Sequence, residues 1–246
     1  MSCKIVVPSH NRADRVLTTE VIDSPIICVE KSQEEAYKEY NPDCEIVSHP
    51  DSVKGLVPKR NWMLNHFGDL FMVDDDCLSF RKMYVDMGEH QKVDSKMEVN
   101  QRILELYDLA KTLGVHLFGF TKNPRPEQYP VFKPFSMSNC INGGAYGAIQ
   151  GEHVVWNEEF KLKEDFMISC LVKHHYRKIL IDNRYNFSHR ETFKSTGGLA
   201  EIRNHDEEIK NILRLRKYFG DVVNLKKNRI SSKLVKKYDV TVRFKF

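Results

Sequence analysis

Three consecutive carboxylates, Asp74, Asp75 and Asp76, directly follow the apolar run Leu70-Phe71-Met72-Val73. So much negative charge in one place is costly unless protons or a cation relieve it. A divalent ion with oxygen ligands is one answer, and an acidic surface turn after a strand is the other. If the run is a buried strand, alternation sends Asp74 and Asp76 to one face and Asp75 to the opposite one. A second acidic pair, Glu164-Asp165, opens an apolar-rich stretch, where an acidic residue also serves as a helix start. Lys59 and Arg60 fall in what reads as the first turn of a helix, where basic side chains oppose the dipole; surface exposure is their ordinary explanation. The adjacent Gly143 and Gly144 allow the backbone close to a ligand, or simply a tight turn.

The chain that must position these groups has 246 residues, 41% hydrophobic and 29% charged, enough for one substantial core with a modest extension. A net charge of +4 says little about a partner, but its distribution says more. Lys226, Lys227, Arg229, Lys233, Lys236, Lys237, Arg243 and Lys245 face Asp239 alone, a tail suited to a polyanion or to a solvated terminal face. The cysteines at 3, 28, 44, 77, 140 and 170 lack CxxC spacing and read as small core hydrophobes rather than disulfides or zinc ligands. The N-terminus starts on a strand pattern without signal-peptide features, and no apolar stretch reaches about 18 residues. A soluble, cytoplasmic protein without a membrane partner is therefore expected.

In chain order, Ile5-Val7 reads as a strand ended by Pro8-Ser9-His10-Asn11-Arg12, and Ile26-Val29 as a second strand ended by Glu30-Lys31. Ser32, with Glu35 three residues on, predicts a capping box for a short helix. Cys44-Ser48 is a third strand. A helix through Lys59-Leu64, with Pro58 in its first turn, then leads to Leu70-Val73. From Phe80 to Ser95 no firm period is visible. Val99, Ile103, Leu106, Ala110 and Leu113 recur at helical steps up to Gly114, and Val115-Phe120 follows as a strand. Pro124, Pro126, Pro130 and Pro134 make 121–139 an ordered excursion carrying Tyr129, Phe132 and Phe135, placed to overlie a pocket. Tyr146-Ile149 is a strand, Phe166-Val172 helical and Ile179-Ile181 the last core strand. Residues 182–198 form polar loops, and a helix runs from Ile202 to Gly220. Strands alternating with helices at this spacing argue for an α/β fold whose central sheet is mainly parallel.

Taken together, this order of motifs resembles the GT-A type of glycosyltransferase, and more narrowly the TET-associated glycosyltransferases of bacteriophages, considered to act on hydroxymethylated pyrimidines in DNA. The marks are Pro8-Ser9-His10-Asn11-Arg12, Lys59-Arg60-Asn61, the Asp triplet, Gly143-Gly144, Glu164-Asp165 and the late His189, spread over residues 3–190. The resemblance implies a single GT-A-like nucleotide-diphospho-sugar transferase domain over 1–200. Residues 201–246 would be a C-terminal helix and basic extension packed on or continuing it.

Roles follow residue by residue. Asp74 and Asp76 match the outer positions of the Asp-X-Asp signature and, with His189, would hold Mn2+ or Mg2+ against the donor diphosphate. Pro8, Ser9, Asn11, Arg12, Glu30 and Asp75 would line the nucleotide, with Lys59, Arg60 and Asn61 on its ribose-phosphate side. Asp165 matches the general base of inverting members, and Glu164 would orient the acceptor or its loop beside Gly143 and Gly144. No Gln-X-X-Arg-Trp element follows Asp165, which argues against a processive polysaccharide synthase. The implied donor is a nucleoside-diphosphate sugar, such as a UDP-linked one. The implied acceptor is 5-hydroxymethylcytosine or a related base in phage DNA, inside an infected host cell. A nucleotidyltransferase making an activated sugar, and a noncatalytic nucleic-acid-binding protein, are the rival classes.

Overall fold

Short runs of β-branched, sulfur and aromatic residues, each followed by turn formers, build one twisted sheet from the first residues onward. The computed structural model describes residues 3–86, 91–141, 143–189, 204–225 and 240–242. β1 (Lys4–Pro8) and β2 (Ile26–Glu30) pair in parallel, and α1 (Glu34–Tyr40) leads to β3 (Ile46–His49), parallel to β2. α2 (Leu56–Phe67) then returns the chain to β4 (Leu70–Val73), parallel to β1 on its other side. β2 and β4 are buried at every position, which is why they read as unbroken apolar runs rather than alternating ones.

After the Asp triplet, β5 (Cys77–Lys82) leaves this sheet, and α3 (Lys96–Thr112) brings the chain back to β6 (Leu117–Phe120). The predicted stripe of α3 packs inward through Val99, Ile103, Leu106 and Ala110, while Leu113 stays partly exposed at the helix end. β7 (Phe135–Ser136), β8 (Ala145–Ala148), α4 (Glu164–Tyr176) and β9 (Leu180–Asp182) complete an eight-stranded sheet of order β3-β2-β1-β4-β8-β6-β9-β7. Only β8 and β7 run against their neighbours, so the sheet is mostly parallel, with helices flanking it as expected. Gly147 is where β8 crosses the Phe118 ring: a Cβ there would lie 2.0 Å from the ring edge. Gly147→Ala is expected to destabilise the fold by ~1–3 kcal/mol in urea denaturation, the usual cost of overpacking a filled core.

β10 (Tyr185–His189) pairs antiparallel with β5 as a separate ribbon. Three expectations are corrected here. The segment after Asp182 is not all loop, because Tyr185 and Phe187 alternate inward against Phe80 and Phe120. The unpatterned stretch from Phe80 likewise begins inside β5. Ser32 does not cap α1; its N–H and hydroxyl donate to Asp51 Oδ1, and Gln33 stands at the cap position without a side-chain capping bond.

α5 (His205–Phe219), capped by Asn204 accepting from the Glu207 N–H, buries Ile212 and Leu215 in the main core. β11 (Val223–Leu225) and β12 (Val240–Val242) form a small antiparallel pair. Apart from 240–242, the basic tail lies outside the described residues. All six cysteines are free, and Cys3, Cys28, Cys77 and Cys170 are buried as apolar filler. Among the described residues no helix is long and apolar enough to cross a membrane.

Candidate active site

The C-terminal ends of parallel strands share one edge of the sheet, and there the backbone brings the singled-out residues together. The Asp74 N–H donates to the Gly144 carbonyl at 2.8 Å, which ties the Asp triplet to the glycine pair. Thr18 supports the same turn: its hydroxyl donates to the Asp74 carbonyl at 2.6 Å and accepts from the Cys77 N–H at 3.2 Å. Nothing in the sequence marked Thr18, because its partners lie 56 and 59 residues away.

On one side, Asp75 is buried rather than open. It accepts from the Ser9 hydroxyl at 2.5 Å and from the Arg12 guanidinium at 2.6 Å. Tyr37 joins them, its hydroxyl 2.7 Å from Ser9 Oγ and accepting from the Arg12 N–H at 3.0 Å. Asn11, between them, takes a positive φ of 55°, a conformation asparagine tolerates better than most residues. Pro8 ends β1 just before this wall. Below it, the buried Lys59 donates to the Ser9 carbonyl at 2.8 Å and pairs with Glu30 at 3.1 Å. His10 is 2.9 Å from the same carboxylate. Burial pushes the Glu30 carboxyl up, but His10 and Lys59 outweigh it and hold it below the usual range. Lys59 is thus a structural cation joining the ends of β1 and β2.

Arg60 is the hub of the site. Its side chain is 1% exposed and donates to Glu164 at 2.6 Å and to the Gly143 carbonyl at 2.9 Å, with Asp74 at 3.6 Å and the Tyr146 ring beneath it. Burial disfavours its charge, but Tyr146, Glu164 and Asp74 more than compensate, so it stays protonated. Burial also raises the Asp74 carboxyl to about 7 against the pull of Arg60 and His189. Water still reaches 39% of that side chain, so the carboxylate is hemmed in by protein with one open side. Asn61 turns away from this group. Its side chain brackets Trp156, donating to its carbonyl at 2.8 Å and accepting from its N–H at 2.9 Å.

β5 and β10 deliver a second pair. Asp76 directly precedes β5, His189 ends β10 at a register shift, and Nδ1 of His189 lies 3.2 Å from Oδ1 of Asp76. Two adjacent ligands of an octahedral cation with bonds of ~2.1 Å sit about 3 Å apart, so this spacing fits a shared small divalent ion. His189 Nε2, on the far side of the ring from Asp76, is buried against the Gly144 backbone without a hydrogen-bond partner. Asp74 lies 3.6 Å from Arg60 and also feels the charges of His189 and Asp76. Among the described residues no cluster of three or more His, Cys, Asp or Glu side chains is placed to hold a metal. A cation on Asp76 and His189 would therefore draw its other ligands from water and substrate oxygens, as hard divalent ions commonly do with phosphates.

The glycine pair stands between the two halves. A Cβ on Gly144 would lie 2.8 Å from His189 Nε2, and one on Gly143 would lie 3.2 Å from Asp165 Oδ2. The absence of both side chains lets His189 close on Gly144 and Asp165 on Gly143, neighbouring residues of one backbone. α4 begins at Glu164 after Lys163 in the left-handed conformation. Glu164 is spent on Arg60, whereas Asp165 has no ion-pair partner within 4.0 Å among the described residues. Burial and the neighbouring Glu164 raise the Asp165 carboxyl to about 6. That value suits a carboxylate able to accept a proton near neutral pH.

The family model described as TET-Associated Glycosyltransferase matches residues 3–198, which takes in every residue of the site described above. Among solved structures, the crystal structure of S. aureus TarS 1-349 aligns with a TM-score of 0.48 and 13% identity over 75% of this chain and 60% of that one. A second crystal structure, of S. aureus TarS, aligns with a TM-score of 0.45 and 10% identity over 76% of this chain and 36% of that one. The chain thus spans less than two thirds of either. Comparison with curated proteins finds no match.

Proposed function

The chain belongs to the TET-associated glycosyltransferase family, and from that premise we propose that it moves a sugar from a nucleoside-diphosphate donor to the hydroxyl of a hydroxymethylpyrimidine in DNA. The observation that carries this reading is the glycine pair, with His189 of the Asp76–His189 pair against Gly144 and the Asp165 carboxylate against Gly143. Such a site can grip a diphosphate and receive a proton within one small volume.

The wall of Ser9, Arg12 and Asp75, prearranged by Tyr37, orients the nucleotide, with Glu30 and Lys59 fixing the strand ends beneath it. Asp76 and His189, with Asp74 at their margin, would hold Mn2+ or Mg2+, which would supply charge neutralisation to the donor's pyrophosphate. Asp165 takes the proton from the acceptor hydroxyl as that oxygen bonds to the anomeric carbon. The bond from that carbon to the phosphate oxygen breaks, and the nucleoside diphosphate departs. Arg60 keeps Glu164 and the Gly143 carbonyl fixed, so that Asp165 meets the acceptor in one orientation. The acceptor reading is further supported by the basic composition of the C-terminal sequence and by the aromatic, proline-rich excursion that follows β6.

Mass spectrometry of hydroxymethylated and unmodified DNA, incubated with a panel of nucleotide sugars including UDP-linked ones, tests this directly. The expected result is one added sugar mass on hydroxymethylated DNA only, with release of nucleoside diphosphate. Pyrophosphate release from a nucleoside triphosphate, or no DNA product with any donor, contradicts it.

A further inference from the structure

The excursion between β6 and β8 touches the site at both ends. Near its start, the Lys122 ammonium lies 5.5 Å from the Phe166 ring, beside Asp165. Its end delivers Gly143 and Gly144. Between them the backbone is clamped in successive turns. The Tyr129 N–H donates to the Pro126 carbonyl at 2.8 Å and the Lys133 N–H to the Pro130 carbonyl at 2.8 Å. The buried Asn183, in the turn between β9 and β10, holds the next two carbonyls. Its N–H donates to Pro134 at 2.8 Å and its side chain to Lys133 at 2.9 Å. Four prolines stiffen the segment further.

This rigid turn presents nothing to the core at its tip. Phe132 is fully exposed and Val131 is 68% exposed, while Phe135, three residues on, packs under the Arg184 guanidinium at 4.7 Å. Scattered surface apolar residues are ordinary. A bare phenylalanine on a clamped turn is different, because the fold fixes its position while gaining no burial from it. The charges along the same segment point to a polyanion: Lys122, Arg125 and Lys133 are all exposed, and Glu127 is the sole acidic residue in 121–139.

We propose that Phe132 is an apolar wedge that enters the acceptor DNA duplex when the target base leaves the stack, with Lys122, Arg125 and Lys133 on the flanking phosphates. The inference rests on the DNA acceptor proposed above and adds how that acceptor is opened. The hydroxymethyl group of a paired base projects only into the major groove, whereas Asp165 is partly buried beside Gly143, so a base rotated out of the stack reaches it more readily than a paired one. An apolar side chain filling the gap offsets part of the unstacking cost. Single-stranded acceptors need no such filling.

The test uses the full chain and hydroxymethylated oligonucleotides in duplex and single-stranded form, with 2-aminopurine beside the target base to report unstacking. Phe132→Ala is expected to lower the ratio of duplex to single-strand transfer about tenfold and to abolish most of the fluorescence rise on duplex binding. Phe132→Trp is expected to restore both. Because Phe132 packs on nothing, neither change disturbs the core. An unchanged ratio, or an equal loss on both acceptors, overturns the wedge. Loss of binding to anionic phospholipid vesicles with the DNA ratio intact overturns it in favour of a lipid contact. If the wild-type chain neither binds nor modifies any DNA, the acceptor reading itself fails, a result distinct from normal duplex transfer by Phe132→Ala.

Discussion

Arg60→Met lowers the stability of the folded protein by ~3–5 kcal/mol in urea denaturation, the typical cost of stripping one partner from a buried ion pair. The guanidinium is buried, and its partner Glu164 retains only 8% side-chain exposure. Without the cation, Glu164 is left charged and dry, the Gly143 carbonyl loses its donor, and Asp74 loses its nearest positive charge. Arg60→Lys keeps the charge, but a single ammonium cannot span Glu164 and Gly143 together. It should therefore recover part of the stability while leaving sugar transfer impaired. In a double-mutant cycle, Glu164→Leu added to Arg60→Met should cost less than the sum of the two single changes, because it removes the orphaned charge. A loss under about 1 kcal/mol for Arg60→Met would mean that Glu164 finds water or another cation, and the hub assignment would fall.

Asp165→Asn should reduce sugar transfer by about 10^2 to 10^4, the range for losing a positioned general base, while donor binding persists. In the intact enzyme only the ionised carboxylate accepts a proton. The rate should therefore fall as pH drops through about 6, where Asp165 protonates. The stability effect has the opposite sign. Because the folded-state pKa is raised, the folded protein binds more protons than the unfolded chain between the ordinary carboxylate range and about 6. Stability then declines as pH rises through that window and stays lowered above it. Asn cannot ionise, so Asp165→Asn should raise the thermal midpoint at neutral pH even as it lowers turnover. A merely structural Asp165 would give the reverse: lower stability with turnover reduced only in proportion.

Much of the frame could be read from the residues. Buried strands such as Leu70–Val73 are unbroken apolar runs, the stripe on α3 repeats at helical steps, and the Asp triplet stands at a strand end. What each charged group does there could not be read, because its partners are remote in sequence. Arg60 and Lys59 are adjacent and look alike, yet one reaches Glu164, 104 residues on, and the other reaches back 50 residues to Ser9. The surface explanation of basic residues in a first turn fails for both, since tertiary partners outweigh an unfavourable helix dipole. Asn61, grouped with them by sequence, serves Trp156 instead. The short period-two pattern of Tyr185 and Phe187 was hidden in a polar stretch, so the strand that carries His189 to Asp76 became visible only once β5 was in place beside it. Thr18, Tyr37 and Tyr146 carry no local signal at all; their contribution is tertiary.

On the proposed reading, Asp76 and His189 together would seat a cation whose coordination the donor's diphosphate completes. Calorimetric titration of a nucleoside diphosphate into the protein, with Mn2+ and with a chelator, measures this most directly. Nucleotide affinity is predicted to rise at least about tenfold with Mn2+ in the wild-type chain and to lose that increment in Asp76→Asn and His189→Ala, with thermal unfolding still cooperative. Equal nucleotide affinity with and without the cation, or an undiminished Mn2+ increment in both variants, would contradict it.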